Sequence, residues 1–357
     1  MRAANLRWLL GIPAVVALVC GVLSGLARLG WGVPAWAAGL AGVHGALMVG
    51  AFFGTLIGLE RAVALARGWP YLAPAASGLA GLLLVAGHAG ALAPALMSVA
   101  AAVMTIACAS VWWRERAAHL ATLTAGALAW LAGNLAWLAL DIPAATPLWA
   151  TFLILTIAGE RLELSRLMPT PPRARRAFAA IALLLGASAV VAVGQGWALR
   201  LFGAALGLLA LWLMRFDIAR RTVRSTGLTR YMAVCLLTGY AWLLAGAMLG
   251  LSGAFPLGAP LRDAGLHAVL LGFVISMVFG HAPVIVPALT RLRFQWHGLF
   301  YLPLCILHLS LVARVGADIG LNFPLRAWAA AGNAVALLLF MILSALALRC
   351  APAARRV

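Results

Sequence analysis

Imidazole and carboxylate side chains set inside apolar sequence are the groups that could do chemistry in this chain, and they are few. His44 opens the stretch HGALMVGAFFGTLIGLERAVALAR, which ends on Glu60, Arg61 and Arg67. His267 and His281 stand in DAGLHAVLLGFVISMVFGHAPVIVPALTRLR, and Glu160 and Arg161 in AGERLELSR. His308 and Asn134 lie in two further apolar runs. A neutral imidazole ligates haem iron or another transition metal. Carboxylates hold metals or carry protons. In an apolar solvent such groups are costly, face the protein interior, and tend to mark function.

The solvent follows from composition. Of 357 residues, 65% are hydrophobic and 10% charged, with a mean hydropathy of +1.05. Soluble domains run near half apolar and a quarter charged, so this chain belongs in lipid. Lipid offers the backbone no water partner, which restricts spanning elements to helices or a closed barrel. The apolar runs are about 20 residues long, the length of a helical crossing, and do not alternate as barrel strands would. An all-α polytopic bundle is expected, with spans at 7–27, 36–66, 70–87, 91–113, 119–140, 147–166, 177–195, 198–215, 231–252, 264–289, 297–314 and 326–348. The basic start and apolar middle of the N-terminus resemble a signal peptide. No convincing cleavage site follows, and the segment is read as a retained first span.

The 26 basic residues, all arginine, outweigh eight acids for a net charge of +18. They cluster at the ends of apolar runs, which points to membrane orientation rather than nucleic acid. With the N-terminus inside, loop parity puts 21 arginines on one side, and only Arg28, Arg200, Arg262, Arg314 and Arg326 on the other. That asymmetry predicts both termini in the cytoplasm of a bacterial inner membrane. The five cysteines show no ligand spacing and read as packing residues.

Heights along the helices sort the polar groups. With Arg67 and Arg291 as inner anchors, a rise of 1.5 Å per residue puts His44 and His267 both about 35 Å up, near the outer face. Two imidazoles at one level can share a metal or sandwich a haem iron. His281 comes out about 15 Å up, and Glu60 and Glu160, the latter measured from Arg166, about 10 Å. A second, lower cluster for a metal or for proton movement is therefore expected. Pro283 should open the helix beside His281. Ala46, Gly50, Gly54 and Gly58 form a stripe suited to a close helix contact. Bland alternatives stand beside these: each histidine can simply hydrogen-bond across helices, His308 above all, and Glu60 and Glu160 can neutralise neighbouring arginines. His88, His119 and His297 fall at span ends and should be solvated. Glu-Arg endings on spans 2 and 6, with an arginine ending on span 10, hint at three four-helix units within a single membrane domain.

The pairing of HGALMVGAFFGTLIGLERAVAL with RDAGLHAVLLGFVISMVFGHAPVIVPAL resembles the NnrS family of polytopic haem–copper membrane proteins. More loosely, twelve spans with histidines on spans 2 and 10 are similar to subunit I of haem–copper oxidases. That resemblance implies haem b, copper, and a part in nitric oxide or denitrification metabolism, with His44 and His267 as haem ligands. It departs from the oxidases in offering no histidine on span 7 and Glu160 on span 6, so no complete dinuclear oxidase or reductase centre is visible. The expectation is a haem-binding membrane protein with a small gas or anion as its ligand, His44 and His267 holding the haem, and His281, Glu60 and Glu160 forming the lower site beside Arg61 and Arg161. The rival expectation is a proton-coupled secondary transporter of a small anion or metabolite.

Overall fold

The computed structural model describes residues 2–88, 90–165, 168, 170–290 and 292–349. Arg166 and Arg291, two of the three anchors used for height, and Cys350 lie outside the described residues. Among the described residues the chain folds as an all-α bundle of twelve principal helices: α1 (Arg2–Ala27), α2 (Ala46–Leu65), α3 (Trp69–Val85), α4 (Leu92–Glu115), α5 (Ala118–Ala139), α6 (Ile142–Leu164), α7 (Pro172–Ala192), α8 (Ala198–Phe216), α9 (Gly227–Leu251), α10 (Arg262–Thr290), α11 (Gly298–Ile319) and α12 (Phe323–Ala347). Eleven of these are long and apolar enough to cross a membrane; α3 is shorter. The expected twelve spans thus correspond to twelve helices, and the chain is a multi-pass membrane protein. The described strands are one pair of two-residue strands, Arg293–Phe294 against Leu348–Arg349.

Helix ends follow from local chemistry. Asp141 caps α6 by accepting the Ala144 N–H at 2.8 Å, and Asn322 caps α12 by accepting the Leu325 N–H at 3.0 Å, each just ahead of a proline at the first or second helical position. Several hydroxyls within the spans return their protons to the preceding turn, as Thr151 does to Pro147 at 2.8 Å and Thr156 to Phe152 at 2.8 Å. No hydroxyl proton of these two is left unmet in the apolar interior.

Three helices form the inside of the bundle. The most apolar stretches of α2, α6 and α10 are 67%, 72% and 61% buried, against at most 50% for any other long span. They are spaced four helices apart and are the same three that carry the arginine-ended motifs. Around them, α1 packs on α2 and α3, α4 on α5, α8 on α9, and α11 on α12. The loop after α1 is tied to the start of α12 by Trp31, which donates to the Ala327 carbonyl at 3.0 Å and meets Trp328 edge-on.

Two of the inner helices are wound unusually. Ala46–Phe53 in α2 and Ala268–Ile275 in α10 are π-helical over eight residues each. Such segments are rare, mostly single-turn, and frequent at functional sites. Each has glycine at its fifth position, Gly50 and Gly272, against which a large side chain lies where a Cβ would be: Met97 of α4 on Gly50, Trp242 of α9 on Gly272. A serine hydroxyl serves the carbonyl of each glycine, Ser77 at 2.7 Å and Ser276 at 2.6 Å. The small-residue stripe of α2 makes the close helix contacts its spacing predicts, with Gly54 against Trp130 of α5 and Gly58 against Pro74 of α3. The opening expected at Pro283 lies elsewhere: α10 continues helically through Pro283 and Pro287 to Thr290, and the irregular winding sits upstream, next to His267.

Candidate functional site

His44 lies just before the π-segment of α2 and His267 just before that of α10, and their rings meet. The centroids are 6.5 Å apart with the planes inclined at 31°. The common height read from the sequence thus corresponds to a contact in space. His44 Nδ1–H donates to the Gly21 carbonyl of α1 at 2.7 Å. Gly25, one turn along α1, admits the ring: a Cβ there would sit 2.9 Å from His44 Cε1. His267 Nδ1–H faces two oxygens of Asp263, the backbone carbonyl at 2.9 Å and the carboxylate Oδ1 at 3.2 Å. Both Nδ1 atoms face acceptors, so in both rings the lone pair is on Nε2. That is the arrangement in which a second contact fixes the tautomer of a metal-ligating histidine. Arg314 Nη2 donates to His267 Nε2 at 3.4 Å.

Asp263 is itself fixed. Arg314 of α11 grips it with two parallel bonds, Nε to Oδ2 at 2.7 Å and Nη2 to Oδ1 at 2.8 Å, and reaches Asn333 of α12 at 3.4 Å. Asn333 in turn donates to Ser310 Oγ at 2.7 Å. Three helices, α10, α11 and α12, thereby set the orientation of His267. Asp263 and Arg314 were not singled out from the sequence. The signal for Asp263 was present, since it precedes His267 by four residues and so shares its helix face.

The two imidazoles line a cavity of about 550 Å³, within the range of small-molecule and cofactor sites. Its deep wall is apolar, with Met48, Phe53, Leu153, Leu271, Ile275 and Leu337. Its rim carries Arg28, Arg262, Arg314 and Arg326.

The lower residues gather differently. Arg61 pairs with Glu160 of α6 and, at 3.5 Å, with its own neighbour Glu60. Arg161 is bound instead by Asp217, at 2.7 Å and 3.0 Å, and Asp217 also accepts from Tyr240 at 2.9 Å and from the Ala219 N–H at 2.6 Å. Arg161 and Asp217 are 3% and 1% exposed, so this is a closed, doubly hydrogen-bonded ion pair. Sequence reasoning missed both Asp217 and Tyr240, because an acid in a loop rich in arginine carries no mark of its partner. His281 turns its Nδ1–H to the Met277 carbonyl at 2.8 Å, within electrostatic reach of Arg161, Glu60 and Asp217. Among the described residues, no three His, Cys, Asp or Glu side chains gather where they could hold one metal ion. The lower cluster holds the Arg61–Glu160 and Arg161–Asp217 ion pairs.

His308 does have a partner: Trp242 Nε1–H donates to its Nδ1 at 2.9 Å across α9 and α11. His119 departs from expectation. It is buried at the start of α5, with Glu163 at 3.9 Å, because α6 packs directly over it.

The family model described as Domain of unknown function (DUF8744) matches residues 7–349. No curated protein matches the chain.

Proposed function

We propose that this chain, which belongs to the DUF8744 family, is a haem-binding protein of the bacterial inner membrane in which His44 and His267 supply the two axial imidazoles. The observation that carries the reading is the ring separation of 6.5 Å. A first-row metal bonds an imidazole nitrogen at about 2 Å, so two imidazoles on opposite sides of one ion place their centroids roughly 6 Å apart. The two Nδ1–H bonds to Gly21 and Asp263 support it further, because they leave Nε2 as the ligating atom on both rings. The apolar wall and the arginine rim suit a flat macrocycle whose acidic groups point outward.

When bound, haem would supply one-electron redox chemistry or a site for a small gas. The protein's part is to hold both rings in line, to exclude water through the apolar wall, and to keep His267 oriented through Asp263 and Arg314. A link to nitric oxide or denitrification rests on the resemblance of the spans 2 and 10 segments to the NnrS family. Cytoplasmic placement of both termini rests on the 21-to-5 arginine asymmetry. The test is a reduced-minus-oxidised spectrum of the purified protein supplied with haem. A bis-imidazole low-spin spectrum is expected; its absence, or its persistence in both His44→Ala and His267→Ala, overturns the reading.

Proton-coupled transport is a second reading, supported by the sharing of Arg61 between two carboxylates at the inner end of the bundle. Proton-driven uptake by proteoliposomes made from haem-free protein would favour it over the first.

A further inference from the structure

The arginines that break the positive-inside pattern do not scatter. Loop parity leaves five on the minority side, and four of those five, Arg28, Arg262, Arg314 and Arg326, come together on the rim of the histidine cavity. They reach it from four separate helices: the end of α1, the start of α10, the second half of α11 and the start of α12. A charge placed against the orientation preference of the whole chain needs a local reason.

Two of the four have one inside the protein. Arg314 is matched by Asp263 at 2.7 Å, and Arg326 by Asp318 at 3.0 Å. Arg28 and Arg262 have no carboxylate in ion-pair range among the described residues. Arg28 gives one N–H to the Ala41 carbonyl at 3.0 Å, and Arg262 gives one to the Phe255 carbonyl. Arg28 and Asp141 are the charged groups within electrostatic reach of Arg262, and Asp141 is committed to capping α6. A guanidinium carries five N–H donors in a fixed fork suited to carboxylate. One backbone bond each leaves most of that capacity unspent beside an apolar cavity.

We infer that Arg28 and Arg262 form a clamp for two carboxylates carried by a single flat, apolar ligand lying between His44 and His267. The inference rests on the haem reading and names what that reading leaves open: the acid groups of the macrocycle are recognised by these two arginines and not by the pair already neutralised. The clamp also orients the ligand, with its acid edge at the rim and its apolar edge against Met48, Phe53 and Leu271.

The experiment compares iron porphyrin bearing two free carboxylates with its dimethyl ester, titrated into the full-length protein in one detergent and followed by the bis-imidazole spectrum. Wild type should bind the diacid at least roughly tenfold more tightly than the diester, the scale of one charge-assisted hydrogen bond lost. The Arg28→Gln/Arg262→Gln double variant should bind the two forms alike. Equal affinity of wild type for both forms, with a bis-imidazole spectrum in each, overturns the clamp and leaves the haem reading standing. A preference that survives in the double variant also overturns it. If neither form produces that spectrum, the haem reading itself fails and the clamp falls with it. Should the double variant not fold, the ester comparison on wild type decides alone.

Discussion

The two ends of the inner helices hold the same kinds of side chain but leave them in opposite states. At the inner end, Arg161 is held by Asp217, which also accepts from Tyr240 and a backbone amide, and Arg61 is shared by Glu60 and Glu160. Arg161 Nε and Nη2 and the Tyr240 hydroxyl all meet Asp217 there. At the outer end, each imidazole has Nδ1 fixed and its lone pair on Nε2, met in His267 by Arg314 Nη2 at 3.4 Å, and Arg28 and Arg262 each give one N–H to a backbone carbonyl beside a cavity. Charge that is mutually consumed holds helices together. Polar capacity that is oriented yet unspent is what a ligand needs. On the haem reading, the outer cluster would be the site and the inner cluster its brace.

Substitutions can break that division in order of expected size. The largest effect is spectroscopic: His44→Ala or His267→Ala should abolish the low-spin haem spectrum altogether, and circular dichroism should show the helical fold intact. Next, Asp217→Ala leaves Arg161 buried without its counter-charge and should cost about 3–5 kcal/mol of stability, measured by denaturant unfolding in detergent micelles. If that variant unfolds like wild type, the inner cluster is no brace. Gly25→Ala pushes a methyl group against the His44 ring and should weaken haem retention by about 1–3 kcal/mol, the usual scale of overpacking; a binding isotherm will read it. Asp263→Asn keeps the shape while removing the charge behind His267, and should lower haem affinity roughly tenfold, as outer contacts to a ligating histidine do. The smallest effect belongs to Glu160→Gln. Arg61 keeps Glu60, and both groups are partly exposed, so a stability loss of about 1 kcal/mol or less is expected. A change in haem spectrum from this last substitution would erase the distinction between the two ends.

Some of this was legible in the chain before any coordinates. The fold class followed from hydropathy, and the meeting of His44 with His267 followed from counting residues up from the arginines, because a bilayer fixes height. The identity of the inner helices was hinted at by the endings of spans 2, 6 and 10. Partner choice was not legible. Whether Arg161 binds Glu160 or Asp217 depends on the rotation of α6 against α8 and α9, and a helix can be turned about its axis without changing its hydropathy. Trp242 against His308 was hidden for the same reason. The π-winding was hidden more deeply: HGALMVGAFF and HAVLLGFVIS contain no proline, and nothing in their composition separates them from ordinary apolar helix.

Those two wide-wound stretches begin within two residues of the imidazoles they follow. A π-turn holds one residue more than an α-turn, and one residue of an α-helix corresponds to about 100° of rotation. Were either stretch to give up its extra residue, everything on its histidine side would swivel through that angle, and the ring would leave its partner without a single span unfolding. On the haem reading, the winding of these two helices would thus set whether the imidazoles face one another.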